Sequence, residues 1–141
     1  MSQQNVQIIR AAFEAWEGAG MVAVLDFLAP DIEWKVRVDL PDAQLYRGHE
    51  GIRELMSHFD EVMEDMWFEH QDLIPVGDDQ VLAPLRWGGR GKGSGMDFDE
   101  DREAWVFTVR AGKIARVEEF ATREQALTDV GQEDAGQNAH P

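Results

Sequence analysis

Tyr46-Arg47-Gly48-His49-Glu50-Gly51-Ile52 opens the longest stretch of helical periodicity in this chain, and Gly112-Lys113-Ile114-Ala115-Arg116-Val117-Glu118-Glu119-Phe120 closes its strand-rich half. From His49 to about Met66, Ile52, Leu55, Met56, Phe59, Val62, Met63 and Met66 recur every three or four residues, which predicts one helix. Downstream, Phe68 to Val76, Val81 to Trp87, Ala104 to Arg110 and Lys113 to Ala121 read as strands, with turns at Gly77-Asp78-Asp79 and Ala111-Gly112. Upstream, Val6, Ile9, Phe13 and Trp16 share one helix face, and Gly18 and Gly20 end that helix. Met21 to Leu28 reads as a second, short helix stopped by Pro30. Ile32, Trp34, Val36 and Val38 then alternate with Glu33, Lys35 and Arg37, the period of a half-buried strand. Helices followed by a meander of antiparallel strands give an α+β fold.

The 141 residues make one domain over 1–127, with the polar, glycine-containing segment 128–141 expected as a disordered tail. A net charge of −15 opposes nucleic acid and anionic membrane surfaces, because phosphate recognition needs lysine and arginine. No apolar run approaches the ~20 residues of a membrane span. The opening Met-Ser-Gln-Gln-Asn lacks the basic-then-apolar pattern of a signal peptide, and there is no cysteine; both fit a cytoplasmic location. Gly88 to Gly95 is dense in glycine but lacks the Gly-Lys-Ser/Thr spacing of a phosphate loop and leads into no helix, so it reads as a mobile hairpin end. The four histidines lack metal-ligand spacing, and no metal or cofactor is expected.

Strand alternation selects the residues that face the interior. Trp34 and Val36 form one inward set; Ala83, Leu85 and Trp87 form a second; Trp105, Phe107 and Val109 a third; Ala115, Val117 and Glu119 the last. Phe59 and Met63 of the long helix, with Phe13 and Trp16 of the first, close the apex. Phe68 and His70 share a strand face, and His49 in the helix-opening motif reads as a local cap. Five tryptophans in this length make an aromatic wall suited to a small apolar ligand, with Trp87 and Trp105 nearest the open end. A slip of one residue in register would exchange each set for its neighbours.

The Arg47-Gly48-His49-Glu50-Gly51-Ile52 opening, the hairpins and the closing Gly112–Phe120 segment together resemble the SnoaL-like branch of the nuclear transport factor 2-like superfamily. That branch holds small bacterial polyketide cyclases and relatives of ketosteroid isomerase. The resemblance implies a cone-shaped, curved antiparallel sheet wrapped around helices. It also implies a pocket for a small hydrophobic molecule, polycyclic or ketone-bearing, a homodimer, and cofactor-independent isomerisation, cyclisation or dehydration. A non-catalytic binding or dimerisation module is the alternative. Carried onto this chain, the isomerase base falls near Val36, the oxyanion aspartate near Trp105, and the tyrosine near Ala12 or Phe13. None of these has the required group, so a steroid-isomerase mechanism is not expected. What remains is Glu119 as acid/base with His70 sharing its proton, or Glu119 paired with an arginine at the rim.

Overall fold

The computed structural model describes residues 2–37 and 45–138. Helices α1 (Ser2–Ala19) and α2 (Met21–Val24) and a 3-10 turn at Leu25–Phe27 lead into strand β1 (Leu28–Lys35). After β2 (Leu45–Arg47) come helix α3 (Gly48–Val62) and strands β3 (Met63–His70), β4 (Ile74–Val76), β5 (Gln80–Gly91), β6 (Asp97–Glu100), β7 (Ala104–Arg110) and β8 (Lys113–Phe120). Helix α4 (Arg123–Asn138) follows. The curved, unclosed sheet runs β2-β1-β8-β7-β5-β3, and β4 and β6 pair with opposite ends of the long β5. Among the described residues, only β1 and β8 pair in parallel. The fold is the expected α+β architecture. Val38 lies outside the described residues.

The helix-opening motif has a steric logic. Gly48 adopts φ +69°, where a side chain is strained, and a Cβ on Gly51 would come within 3.2 Å of the Tyr46 backbone. Those glycines let α3 start hard against the buried Tyr46. His49 does not cap the helix locally; its Nε2 reaches back 3.0 Å to the Leu28 carbonyl and ties α3 to β1. The helix is shorter than its periodicity suggests. Helical spacing continues through Met63 and Met66, yet the chain turns extended at Met63, and both methionines sit on β3. Pairing of Met63 with Gly91 and of Phe68 with Trp87 decides this, because tertiary strand pairing overrides a local pattern.

The inner face is the main core. Trp34, Val36, Ala83, Leu85, Trp105, Phe107, Val109 and Val117 meet Ile9, Phe13, Ile52 and Leu55 of the helices there. Ala115 does not join them. A bulge shifts the β7–β8 register between Thr108 and Val109, so the inward residues on β8 are Ile114, Val117 and Glu119. The outer face carries a second cluster, in which Leu82, Ala104 and Val106 meet Ala126 and Val130 of α4. Spaced one helical turn apart, those two side chains continue α4 beyond residue 127, where the sequence suggested a disordered tail. Residues 139–141 lie outside the described set.

The glycine-dense link is not a loose hairpin end throughout, because β5 runs through Gly88, Gly89 and Gly91. A Cβ on Gly88 would lie 2.5 Å from the Phe98 carbonyl oxygen and 2.5 Å from the Trp67 ring. Trp67 therefore crosses the strand where no side chain stands, with the Arg86 guanidinium 5.3 Å from its ring. Gly88→Ala is expected to destabilise the fold by about 1–3 kcal/mol, read as a lowered urea midpoint at unchanged slope.

Candidate functional site

Where β1, β7 and β8 lie side by side, the sheet brings two carboxyl groups inside. Trp34 pairs with Val117 across the parallel β1–β8 ladder, and Trp105 pairs with Glu119 across β7–β8. Trp34 Nε1 donates to Glu119 Oε2 at 2.6 Å, and the Arg37 backbone N–H also donates to this carboxyl. Trp105 Nε1 donates to Glu103 Oε2 at 2.8 Å. The Arg37 guanidinium bonds the other oxygen of Glu103, also at 2.8 Å. Arg37 thus serves both carboxyls, one through its backbone and one through its side chain. The two indoles meet edge to face with centroids 5.2 Å apart.

Glu119 is 7 % exposed and Glu103 4 %. Burial pushes the Glu119 carboxyl up to about 8; the charge of Glu103 adds to this, and the bonds from Trp34 and Arg37 oppose it. Burial also raises Glu103, against the opposing bonds from Arg37 and Trp105. At neutral pH Glu119 therefore holds its proton, and Glu103 is the one that takes the ion pair.

Beside this network lies a small apolar cleft with an open mouth. Trp16, Trp34, Trp105 and Phe107 line it, as does Phe13, together with Ala12, Val24, Leu28 and Ile114. Phe68 packs behind, 4.2 Å from Trp16 and 5.6 Å from Trp105 between ring centroids. Val36, Leu85 and Val117 are core around the cleft rather than its wall, and Phe59 is half-buried against that core. Met63 is carried away from the apex by β3. Trp87 is not in the wall either: it stacks on Phe68 at 6.0 Å, and its Nε1 is buried without a partner among the described residues.

His70 shares the Phe68 face as alternation required, yet its Nδ1 bonds the Gln71 carbonyl at 2.9 Å and its ring packs 4.9 Å from Phe13. The hydrogen bonds of Glu119 run instead to Trp34 and Arg37, so His70 and Glu119 are not joined as a pair. Two members of the network escaped the sequence reading. Neither was legible, because Glu103 and Arg37 lie just outside β7 and β1, where alternation no longer says where side chains go.

Residues 9–117 match the family described as SnoaL-like domain. Among solved structures, an NTF2-like protein from Burkholderia thailandensis is 28% identical with a TM-score of 0.75, the match covering 89% of this chain and 95% of that one. TerC, co-crystallised with polyporic acid, is 23% identical with a TM-score of 0.72, over 90% and 97% of the two chains. A ketosteroid isomerase-like fold from Catenulispora acidiphila, in complex with trimethylamine, is 21% identical with a TM-score of 0.69, over 88% and 92%. Among curated proteins, none matches.

The raised Glu119 carboxyl couples stability to pH. A folded pKa above the unfolded value means that its contribution is fully present below about 4.5 and is lost as pH rises toward about 8. Glu119→Gln removes this dependence. Between pH 5 and 8 the wild-type protein is expected to lose on the order of a few kcal/mol relative to Glu119→Gln, measured by urea unfolding across that range. Parallel pH curves for the two proteins would show that Glu119 is not held neutral.

Proposed function

The chain belongs to the SnoaL-like domain family, and we propose that it encloses a small apolar, carbonyl-bearing molecule in the aromatic cleft and moves a proton on it with Glu119. The observation that carries this reading is an inward carboxyl, Glu119, buried on the Trp34 indole and pushed up to about 8 by that burial, beside a second that is ion-paired to Arg37. Two carboxyls in unlike environments divide the roles of acid and charge stabiliser. Reactions of this kind, isomerisation, cyclisation or dehydration, need no cofactor. The ligands named for two similar structures, polyporic acid and trimethylamine, are both small organic molecules, which supports a small-molecule pocket.

A second reading rests on the cleft wall, which is lined by apolar side chains alone, Glu103 and Glu119 not among them. A protein that only holds its ligand needs nothing more. The two readings part at Glu119→Gln, which keeps size and hydrogen bonding but removes the titratable proton. Under the catalytic reading, turnover of a small cyclic ketone falls by at least about a hundredfold while affinity stays within about tenfold, or ~1.4 kcal/mol. Wild-type kcat/KM also falls about tenfold per pH unit above 8, where the acid is spent. Tight ligand binding with no turnover by the wild type would establish the binding reading.

The protein acts as a homodimer in this proposal. Beside the α4-covered patch of Leu82, Ala104 and Val106, the pairing surface in this proposal is the β1–β8 region, where Lys35 and Arg116 bridge Glu118. Sedimentation at micromolar concentration is expected to give twice the 16.0 kDa of the chain, and more of the single-chain species at high salt. A single 16.0 kDa species at every salt concentration would exclude the dimer.

A further inference from the structure

One interior indole leaves its N–H unspent. Trp34 donates to Glu119 and Trp105 to Glu103, whereas Trp87 Nε1 is buried with no hydrogen-bond partner among the described residues. A buried donor without a partner forfeits its hydration and gains nothing in return, and native proteins hold few of them. Trp87 pairs directly with Phe68 across β3–β5, and the two rings stack with centroids 6.0 Å apart and planes at 20°. Phe68 stands between Trp87 and the cleft. Its ring lies 4.2 Å from Trp16 and 5.6 Å from Trp105, both residues of the cleft wall. One phenyl ring thus fills a place walled by three indoles.

That ring is held only by packing. Trp105 is buried and anchored through its N–H, but Phe68 has no polar anchor and is half-buried. Its neighbour on the same strand face is Met66, which lies over the bare Gly89, its Cγ 3.1 Å from where a Cβ would stand. An unbranched thioether repacks readily and lets the ring move. A ligand carbonyl that leaves water needs a donor, and the cleft wall is apolar. We propose that Phe68 is a displaceable partition: a ligand ring takes its place among the three indoles, and the ligand carbonyl accepts the N–H of Trp87. This role for Trp87 rests on the functional reading above and deepens it, by naming the residue that orients the carbonyl. It also answers to size, because the cleft is small and gains the space of the Phe68 ring as the ligand enters.

Cyclohexanone is the probe, and methylenecyclohexane, of the same shape but without a carbonyl, is its control. Tryptophan quenching gives affinities, and the indole N–H signals in proton–nitrogen NMR report each ring. The signal absent from Trp87→Phe is that of Trp87. Cyclohexanone is expected to move it downfield, as a new acceptor does, and methylenecyclohexane is not. Trp87→Phe should weaken cyclohexanone about tenfold, or ~1.4 kcal/mol, and methylenecyclohexane by less than about twofold. Phe68→Leu, which shrinks the partition, should tighten both ligands by a similar factor of about five, because less has to be displaced. Equal weakening of both ligands by Trp87→Phe, or a Trp87 signal unmoved at saturating cyclohexanone, overturns the proposal. The ratio of the two affinities cancels any general loss of packing in a variant, and the remaining indole signals show that its fold is kept. If the wild type binds neither compound, the functional reading falls together with this role. Binding of both in a ratio that ignores Trp87 defeats this role alone.

Discussion

Two indole N–H groups bonded to two buried carboxyls hold together the part of the sheet on which the site depends. Desolvating a carboxyl costs several kcal/mol unless it is neutralised or paired. Glu119 meets that requirement by keeping its proton, and Glu103 meets it with Arg37. These solutions are linked. Arg37 bonds one carboxyl through its side chain and the other through its backbone, and the two indoles touch each other. The arrangement fixes β1 against β7 and β8 at the same place where it creates the only strongly shifted acid facing the interior among the described residues. Moving any one of these side chains leaves another polar group unsatisfied.

The fold was legible because long periodic elements and steric glycines carry it. Ile52, Leu55 and their neighbours announce α3, and alternation on β5, β7 and β8 assigns nearly every core residue to its face. Legibility failed where tertiary pairing cuts across a local pattern. Met63 and Met66 continue a helical repeat, yet they are strand residues because β5 offers a partner ladder. Polar residues at 128–138 look unstructured in isolation, and only the apolar patch of Leu82, Ala104 and Val106 gives α4 a reason to persist. The candidate site was half legible. Glu119 was found by alternation, but its partners come from other strands, and no spacing in the sequence announces a contact such as Trp34 with Glu119 across 85 positions. His70, chosen for its face alone, is held by Gln71 and Phe13 instead.

Tryptophan serves two purposes in this chain. Trp16 is a cleft wall that packs on Phe68 behind it, while Trp34 and Trp105 use the ring as wall and the N–H as an anchor for an acid. Phenylalanine would do the first job but not the second. The outer tryptophan, Trp67, belongs to neither group: it lies across Gly88 under Arg86, where it covers the strand pairing of β3 with β5.

The bulge between Thr108 and Val109 has a consequence for how this hairpin can vary. Because one extra residue, Ala115, is absorbed there, Ile114 at the cleft wall and Glu119 at the network both point inward although an odd number of positions separates them. Without the bulge, a regular strand of this length would put Ile114 and Glu119 on opposite faces, so the hairpin must keep its irregularity for the cleft wall and the carboxyl to share one side.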